Sequence, residues 1–305
     1  MQELEISAPR RRHLTLPRGG ALGGTLLTLA ALVLFNLVAT PHFTSLQTLY
    51  VNLTQVTTIV IVAVGMTMVI ATGGIDLSVG SLMAISGALA PLIFARNLLG
   101  VGPGPLADVL AFTVPVLVAM GFGGFNGWLV ARFRIQPIVA TLVLFIAGRG
   151  IAQVMTNGNL QAFHNDAFHM LGLGRVLGVP IQVWLMAAIV GIATWVIARI
   201  KILVYAISGL LSGIAGLIVI AINSSSDANL VGLGMELDAI AAVAVGGTAL
   251  TGGRASIIGT LLGALIIQLL RYTLLSHGIP DAAALVVKAA VILVAVYVQQ
   301  IRRVS

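Results

Sequence analysis

The segment Thr72–Gly80, TGGIDLSVG, separates two long apolar runs, Thr57–Ala71 and Leu82–Ala95. An ionisable side chain such as Asp76 at membrane depth is costly and by default marks a functional site. Gly73 and Gly74 can interrupt a helix because glycine adopts backbone conformations that other residues avoid. Since non-helical backbone at membrane depth must be buried in protein or line a watery cavity, the segment predicts a broken helix facing the interior of a helix bundle. The alternative is an ordinary loop between two spans.

Composition places the chain in a membrane. It is 59% hydrophobic and only 8% charged, whereas soluble domains carry about 25% charged residues. A transmembrane helix needs about 20 mainly apolar residues, and the continuous apolar runs exclude a β-barrel, whose strands alternate. The sequence therefore predicts an all-α polytopic membrane protein. It has no cysteine, which excludes disulfides and thiolate metal sites.

About ten transmembrane helices are expected, two of them interrupted by glycine. We predict a cytoplasmic segment at residues 1–20, a transmembrane domain at 21–301 and a cytoplasmic tail at 302–305. The predicted spans are Ala21–Thr40, 53–71, Gly80–Ala95, Val109–Ala131, Ile138–Val154, Ile181–Ala198, Ile202–Ile222, Glu236–Leu250, Ser256–Ser276 and Ala282–Ile301.

The positions of Lys and Arg predict the orientation, because cytoplasmic loops carry an excess of both. With the N-terminus inside, only Arg96 and Arg175 fall in outer loops. Both termini are therefore expected in the cytoplasm. The basic residues predicted to be cytoplasmic are Arg10, Arg11, Arg12, Arg18, Arg132, Arg134, Arg199, Lys201, Arg254, Arg302 and Arg303.

A faint internal repeat aligns Gly73–Ser78 with Gly246–Thr251. Transporters are often built from repeats that carry glycine-interrupted segments at corresponding positions. Chance is the alternative, because Gly, Ala and Leu dominate the composition. Two glycine pairs at a spacing of four, Gly209/Gly213 and Gly259/Gly263, predict close helix packing.

The predicted spans and their edges hold few polar side chains. Arg149 lies about 16 Å into its span at 1.5 Å per residue, too deep to reach the surface easily. It should pair with an acidic residue, Asp76 being one candidate, or with backbone carbonyls. The polar set is Asp76, Asn126, Arg149, Gln153, Glu236, Asp238 and Lys288.

The sequence lacks motifs for catalysis. Neither lysine in the membrane region follows a glycine as in the phosphate-binding GxxxxGK[ST] loop, and there is no HExxH. The chain is therefore not expected to be an enzyme or to hydrolyse ATP itself. His164, Asp166 and His169 match no common metal-binding spacing, so no metal or other cofactor is expected.

Four segments resemble bacterial ABC-importer permeases for monosaccharides, the ribose/xylose/galactose group. They are Ala71–Ala88, Ile135–Gln153, Glu236–Ile266 and Val286–Val296. The second and third are most similar to the galactofuranose-type permeases. The resemblance implies a multi-pass protein of the bacterial inner membrane that works as a homo- or heterodimer of permeases. It also implies two cytoplasmic ATP-binding subunits and a periplasmic sugar-binding protein, with lipid but not nucleic acid as a further partner.

The resemblance and the polar residues together give the candidate sites. The substrate pathway and broken-helix motif would include Gly73, Gly74, Asp76, Ser78, Gly80, Asn126, Arg149, Glu236, Asp238, Gly246 and Gly247. Residues that could face the ATP-binding subunit are Arg132, Arg134, Arg199, Lys201 and Arg254.

One departure from the family stands between the sixth and seventh spans. Relatives carry about two dozen more cytoplasmic residues there, including a helix that docks on the ATPase, whereas here Arg199 and Lys201 join the spans almost directly. Either the docking loop is lost, leaving an uncoupled or inactive permease, or residues are missing from this sequence. Two other classes stay open. An ion-driven secondary transporter is disfavoured because buried carboxylate pairs are lacking, and a non-transporting scaffold would need no motor.

Overall fold

The computed structural model describes residues 20–195, 201–253, 255–280, 283–287, 289–291 and 293. The predicted N-terminal segment, apart from Gly20, and the predicted C-terminal tail lie outside these residues. Further helical residues follow α10 at 283–287, 289–291 and 293. The helices with defined bounds are α1 Gly20–Ala39, α2 Leu46–Ala71, α3 Val79–Phe94, α4 Pro105–Phe133, α5 Pro137–Thr156, α6 Asp166–Leu173, α7 Ile181–Trp195, α8 Lys201–Asn223, α9 Met235–Val245 and α10 Ile257–Ser276.

Six helices of the described chain are long and apolar enough to cross a membrane: α1, α2, α4, α5, α8 and α10. The predicted all-α polytopic architecture is confirmed at this level. Helices α3 and α7 are apolar but shorter than a full span, and α9 has 11 residues. A full span needs about 20 residues, so the total of ten spans stays a prediction.

Local sequence signals explain where several helices begin. The Ser45 hydroxyl accepts the Thr48 backbone N–H at 3.1 Å and caps α2. Ser256 caps α10 in the same way through the Gly259 N–H. Helices α4 and α5 start with Pro105 and Pro137, and proline suits the first turn because the N–H it lacks would have no partner there.

Helices α2 and α8 form the centre of the bundle. Between Val56 and Ile70, nearly every side chain of α2 is buried on all sides of the helix, as expected for a helix surrounded by protein. Helix α8 packs on α2, α3 and α4, and its longest contact is with α4.

The α4–α8 contact depends on glycine. A Cβ on Gly123 would collide with the Tyr205 carbonyl, and a Cβ on Gly209 with the Ala119 carbonyl. A Cβ on Gly213 would lie 3.0 Å from the Val116 Cα. The predicted packing role of Gly209 and Gly213 is therefore confirmed, because the two backbones approach too closely for larger residues.

Helices α9 and α10 pack in the same manner. A Cβ on Gly259 would collide with the Gly246 carbonyl, and one on Gly263 with the Ala242 carbonyl. The Thr67 and Thr260 hydroxyls lie 2.7 Å apart and join α2 to α10. The second predicted glycine pair is thus also a packing surface.

The helix ends define two ends of the bundle. Helix α4 ends and α5 begins beside the exposed Arg132 and Arg134, and we name this the basic end. The opposite end carries the connection from α5 to α7, which the sequence predicted to be polar. The connection contains α6 and three short strands, β1 (Gln161–Ala162), β2 (Arg175–Val176) and β3 (Val179–Pro180). Strand β1 pairs with β4 (Ser225–Ser226), which follows α8, and β2 pairs with β3.

Candidate functional site at the helix break

The chain is not helical between the end of α2 and the start of α3. The two glycines of this break, Gly73 and Gly74, have different roles. Gly73 has φ +81°, a left-handed conformation that favours glycine. Gly74 is needed for space, because a Cβ there would collide with the Tyr205 hydroxyl. The Tyr205 hydroxyl itself has no hydrogen-bond partner among the described residues.

Asp76 is completely buried in this break, with 0% of the residue exposed. Its Oδ1 accepts the Ser78 backbone N–H at 3.0 Å and the Ser78 hydroxyl at 2.6 Å. Its Oδ2 accepts the Ser208 hydroxyl from α8 at 2.8 Å. Hydrogen bonds to a charged group are stronger than neutral ones, so Asp76 holds the start of α3 against α8.

Two further helices hold the same break. The Asn126 amide of α4 donates to the Ser78 hydroxyl at 3.0 Å. The Thr141 hydroxyl of α5 accepts the Leu77 N–H at 3.1 Å. Gly74, Asp76 and Ser78 of the break are therefore buried in protein, which agrees with the broken-helix prediction. Whether the segment breaks one helix or joins two spans as an ordinary loop stays a prediction.

The second glycine segment lies directly against the first. Gly247 and Gly252 have φ +85° and +83°. The Gly253 N–H donates to the Ala71 carbonyl at 3.1 Å, and a Cβ on Gly252 would lie 2.9 Å from the Gly73 Cα. The two glycine segments therefore meet in space, through Gly252 and Gly253 just after the second aligned range and Ala71 and Gly73 at the start of the first.

Arg149 does not pair with Asp76, so that part of the prediction is wrong. Its guanidinium donates to the Ala228 carbonyl at 2.9 Å and the Val231 carbonyl at 2.5 Å. Asp76 is already occupied by serine hydroxyls, whereas residues 227–234 are non-helical backbone with carbonyls to satisfy. The other predicted possibility, backbone carbonyls, is confirmed.

Gln153 supports the same segment from one turn further along α5. Its amide donates to the Asn229 side-chain oxygen at 2.8 Å, while Asp227 accepts the Asn229 N–H at 2.8 Å. Arg149 and Gln153 thus hold residues 227–234 against α5 as the chain enters the bundle and leads into α9.

Glu236 stands where this segment meets α3. A Cβ on Gly80 would collide with the Gly232 carbonyl and would lie 2.5 Å from the Glu236 carboxylate. Glu236 is buried, and its Oε2 has no hydrogen-bond partner within the described residues. Asp238 is also buried on α9.

The structure therefore groups most predicted pathway residues into two neighbouring clusters. The break cluster contains Gly73, Gly74, Asp76, Ser78 and Asn126, and the second glycine segment adjoins it. The entry cluster contains Gly80, Arg149, Glu236 and the carbonyls of 227–234.

Three residues that contact the break escaped prediction: Thr141, Tyr205 and Ser208. Each is an isolated hydroxyl in an apolar helix, and no motif surrounds it. A hydroxyl in a predicted membrane span needs a hydrogen-bond partner, but this need is only a weak signal of a site residue. Threonine and serine can also satisfy it by bonding to a carbonyl of their own helix.

The residues suggested to face an ATP-binding subunit are only partly described. Arg132 and Arg134 are exposed at the basic end. Lys201 begins α8, but its side chain is not described. Outside the described residues lie Arg199 and Arg254, as does Lys288 of the polar set. His164 and Asp166 are exposed and 3.7 Å apart, and no group of three metal-ligating side chains occurs in the described part of the chain.

A bundle of long apolar helices in which two glycine-interrupted segments meet is typical of a membrane transport protein. The chain belongs to the family described as branched-chain amino acid transport system / permease component, whose model matches residues 49–199 and 184–296. It is thus a translocation subunit and not an enzyme. No solved structure matches the chain significantly.

The curated relatives carry the names of sugar permeases. The ribose import permease protein of Escherichia coli (strain K12) is 40% identical over 303 residues, covering 88% of this chain and 91% of the relative. The galactofuranose transporter permease protein of the same organism is 38% identical, covering 81% and 78%. The fructose import permease protein of Bifidobacterium longum (strain NCC 2705) is 34% identical, covering 78% and 73%.

The comparisons also bear on the short connection between α7 and α8. The alignment with the ribose permease of Escherichia coli (strain K12) spans 303 positions. It includes 88% of the 305 residues of this chain, which is about 268 residues. About 35 aligned positions (303 less 268) therefore have no residue in this chain. The two matched parts of the family model overlap at residues 184–199, a range that begins within α7. Such an overlap agrees with a shortened connection at this junction.

Proposed function

We propose that this chain is the membrane-spanning permease subunit of an ATP-driven importer that moves a monosaccharide across the bacterial inner membrane. The observation that carries the proposal is the enclosed break at Asp76 in a chain 40% identical to a ribose import permease. Ribose, galactofuranose, fructose and arabinose, the sugars in the relatives' names, define the substrate class.

The break gives such a permease a place to bend. Non-helical backbone needs less reorganisation to move than a continuous helix, and the contact between the two glycine segments would transmit movement between the halves of the bundle. In transporters built from repeats, alternating access is largely a rocking of one part against another around a fixed site. Asp76, Glu236 and Arg149 would lie along or beside the path.

The partners follow from the same proposal. A second permease would complete the pathway, two cytoplasmic ATP-binding subunits would supply the energy, and a periplasmic binding protein would deliver the sugar. The basic end would face the cytoplasm, and so would both termini. Arg132 and Arg134 are exposed there and available to an ATP-binding subunit.

Reconstitution tests the proposal. The chain is purified in detergent with the ATP-binding subunit encoded beside it, and uptake of radiolabelled ribose, galactose, fructose and arabinose is measured in proteoliposomes with the binding protein. We expect copurification and ATP-dependent uptake of at least one sugar. Uptake that follows a proton or sodium gradient and survives removal of the ATP-binding subunit would assign the chain to ion-driven transporters instead.

A second candidate function is supported by a different observation. This chain lacks roughly 35 of the positions in its alignment with the ribose permease. If the missing residues held the ATPase contact, the chain would be a permease uncoupled from its motor. Inserting the corresponding segment of a relative after Arg199 separates the two candidates. Copurification and uptake that appear only with the insertion support the uncoupled form, and equal results without it support a working permease.

A further inference from the structure

The end of the bundle opposite the basic end contains a cleft that the break does not reach. It has a volume of about 540 Å³ and lies between the first turns of α2 and the β2–β3 hairpin, with α8 behind. This volume falls within the range of about 300–1,000 Å³ that is usual for small-molecule sites. The six lining residues used below are Gln47, Tyr50, Gln55, Leu173, Arg175 and Ile222.

Contacts within the protein restrain the polar side of the cleft. The Arg175 guanidinium stacks on the Tyr50 ring at 3.8 Å from its centroid, and pairing with Pro180 fixes the Arg175 backbone. The Gln55 side-chain oxygen accepts the amide of the buried Gln268 at 2.7 Å. Because the oxygen faces Gln268, the Gln55 amide nitrogen remains available as a hydrogen-bond donor. Preorganised groups bind at a lower entropic cost than mobile ones.

The cleft carries one positive charge and is otherwise neutral and partly apolar. The side chains of Gln47 and Arg175 make no hydrogen bond within the described residues, and no acidic side chain lines the cleft. Leu173 and Ile222 add aliphatic surface. The cleft therefore offers hydrogen-bond donors at one side and aliphatic and aromatic surface at the other, and it does not select cations.

We propose that this cleft receives a monosaccharide before it enters the translocation path. A sugar ring has hydroxyls at its rim, which the Gln47 and Gln55 amides and the Arg175 guanidinium would bind, and C–H faces that suit Leu173 and Ile222. The cleft lies at the end where a periplasmic binding protein would release its sugar. The inference rests on the proposed function, because the proposed orientation in the membrane is what puts the cleft at the periplasmic end.

Saturation-transfer NMR tests the cleft without ATPase or binding protein. The full chain in phosphatidylethanolamine/phosphatidylglycerol nanodiscs is presented with ribose, galactose, fructose or arabinose. We expect transfer to at least one sugar and about tenfold weaker binding in Arg175→Ala and in Gln55→Leu, as loss of one hydrogen bond to the sugar predicts. Arg96→Ala, an exposed arginine at the same end, is the matched control and should bind normally.

Three outcomes would overturn the cleft site: no transfer to any of the four sugars, equal transfer in wild type and both variants, or loss of copurifying phospholipid in Arg175→Ala without sugar binding. The last would assign the cleft to a lipid headgroup. A melting curve of each variant separates lost binding from lost folding, and Arg175→Ala is the variant least subject to that ambiguity because Arg175 is exposed. ATP-dependent uptake with unchanged KM in both variants would leave the proposed function standing while the cleft site fails.

Discussion

The backbone N–H of Gly253 donates a hydrogen bond to the carbonyl oxygen of Ala71 across 3.1 Å. Ala71 is the last residue of α2, and Gly253 belongs to the glycine segment that separates α9 from α10. The carbonyls in the last turn of a helix have no partner within that helix, so the second break satisfies an acceptor that the first break leaves open. A displacement of α9 and α10 must therefore move or break this contact with α2.

The charge of Asp76 is expected to be essential for transport. Asp76→Asn keeps the shape of the side chain, and the Ser208 hydroxyl can turn to donate or accept, so we expect a loss of only about 1 kcal/mol in the free energy of unfolding. Sugar uptake should nevertheless fall to background at normal membrane content, measured by radiolabelled uptake and immunoblot. Asp166→Asn, an exposed aspartate, is the control. Normal uptake by Asp76→Asn would reduce Asp76 to a structural residue.

The close approach of α3 to the segment before α9 is expected to tolerate no side chain at position 80. Gly80→Ala would push its Cβ into the Gly232 carbonyl, and overpacking of this kind costs about 1–3 kcal/mol. We expect a lower melting temperature in detergent and reduced uptake. Gly121→Ala is a matched control within α4, because nothing lies within 4 Å of its added Cβ. Equal melting temperatures for both variants would contradict the described packing.

Arg149 is expected to act chiefly on the fold. Arg149→Ala leaves the Ala228 and Val231 carbonyls without their donor, and hydrogen bonds to charged groups contribute about 1.5–3 kcal/mol each. The yield of folded protein should fall, and hydrogen exchange of residues 227–234 should become faster. Arg132→Ala, at the exposed basic end, should change neither. Normal yield and exchange combined with lost uptake would show instead that Arg149 contacts the substrate.

The orientation can be measured directly because the chain has no cysteine. In intact cells with a permeable outer membrane, a membrane-impermeant maleimide should label Leu99→Cys in the connection between α3 and α4. It should not label Gln136→Cys in the turn between α4 and α5. Both residues are exposed and uncharged, so the substitutions leave the Lys and Arg distribution unchanged. The reverse labelling pattern would overturn the predicted cytoplasmic position of the basic end.

The sequence alone was sufficient for the all-α polytopic class and for the approximate position of the long apolar helices. The predicted fifth span, Ile138–Val154, differs from α5 by one or two residues at each end, because a long apolar run between polar segments can hardly be anything else. The sequence did not predict helix α6 in the connection between α5 and α7, because this short helix is stabilised by packing against other helices. Phe168 of α6 is buried against Phe112 of α4, 4.3 Å between ring centroids, and such a contact is invisible to local pattern.

What the sequence determined by itself was that a charged, glycine-rich segment interrupts the membrane region, since hydrophobicity and helix breaking are local properties. What only the tertiary structure decided was which groups meet there. Asp76 could satisfy its charge with Arg149 or with hydroxyls, and the choice of Ser78 and Ser208 depended on how α8 packs beside α3. Partner choice depends on the positions of helices far apart in the chain, because a buried charge takes the donors that packing brings within reach.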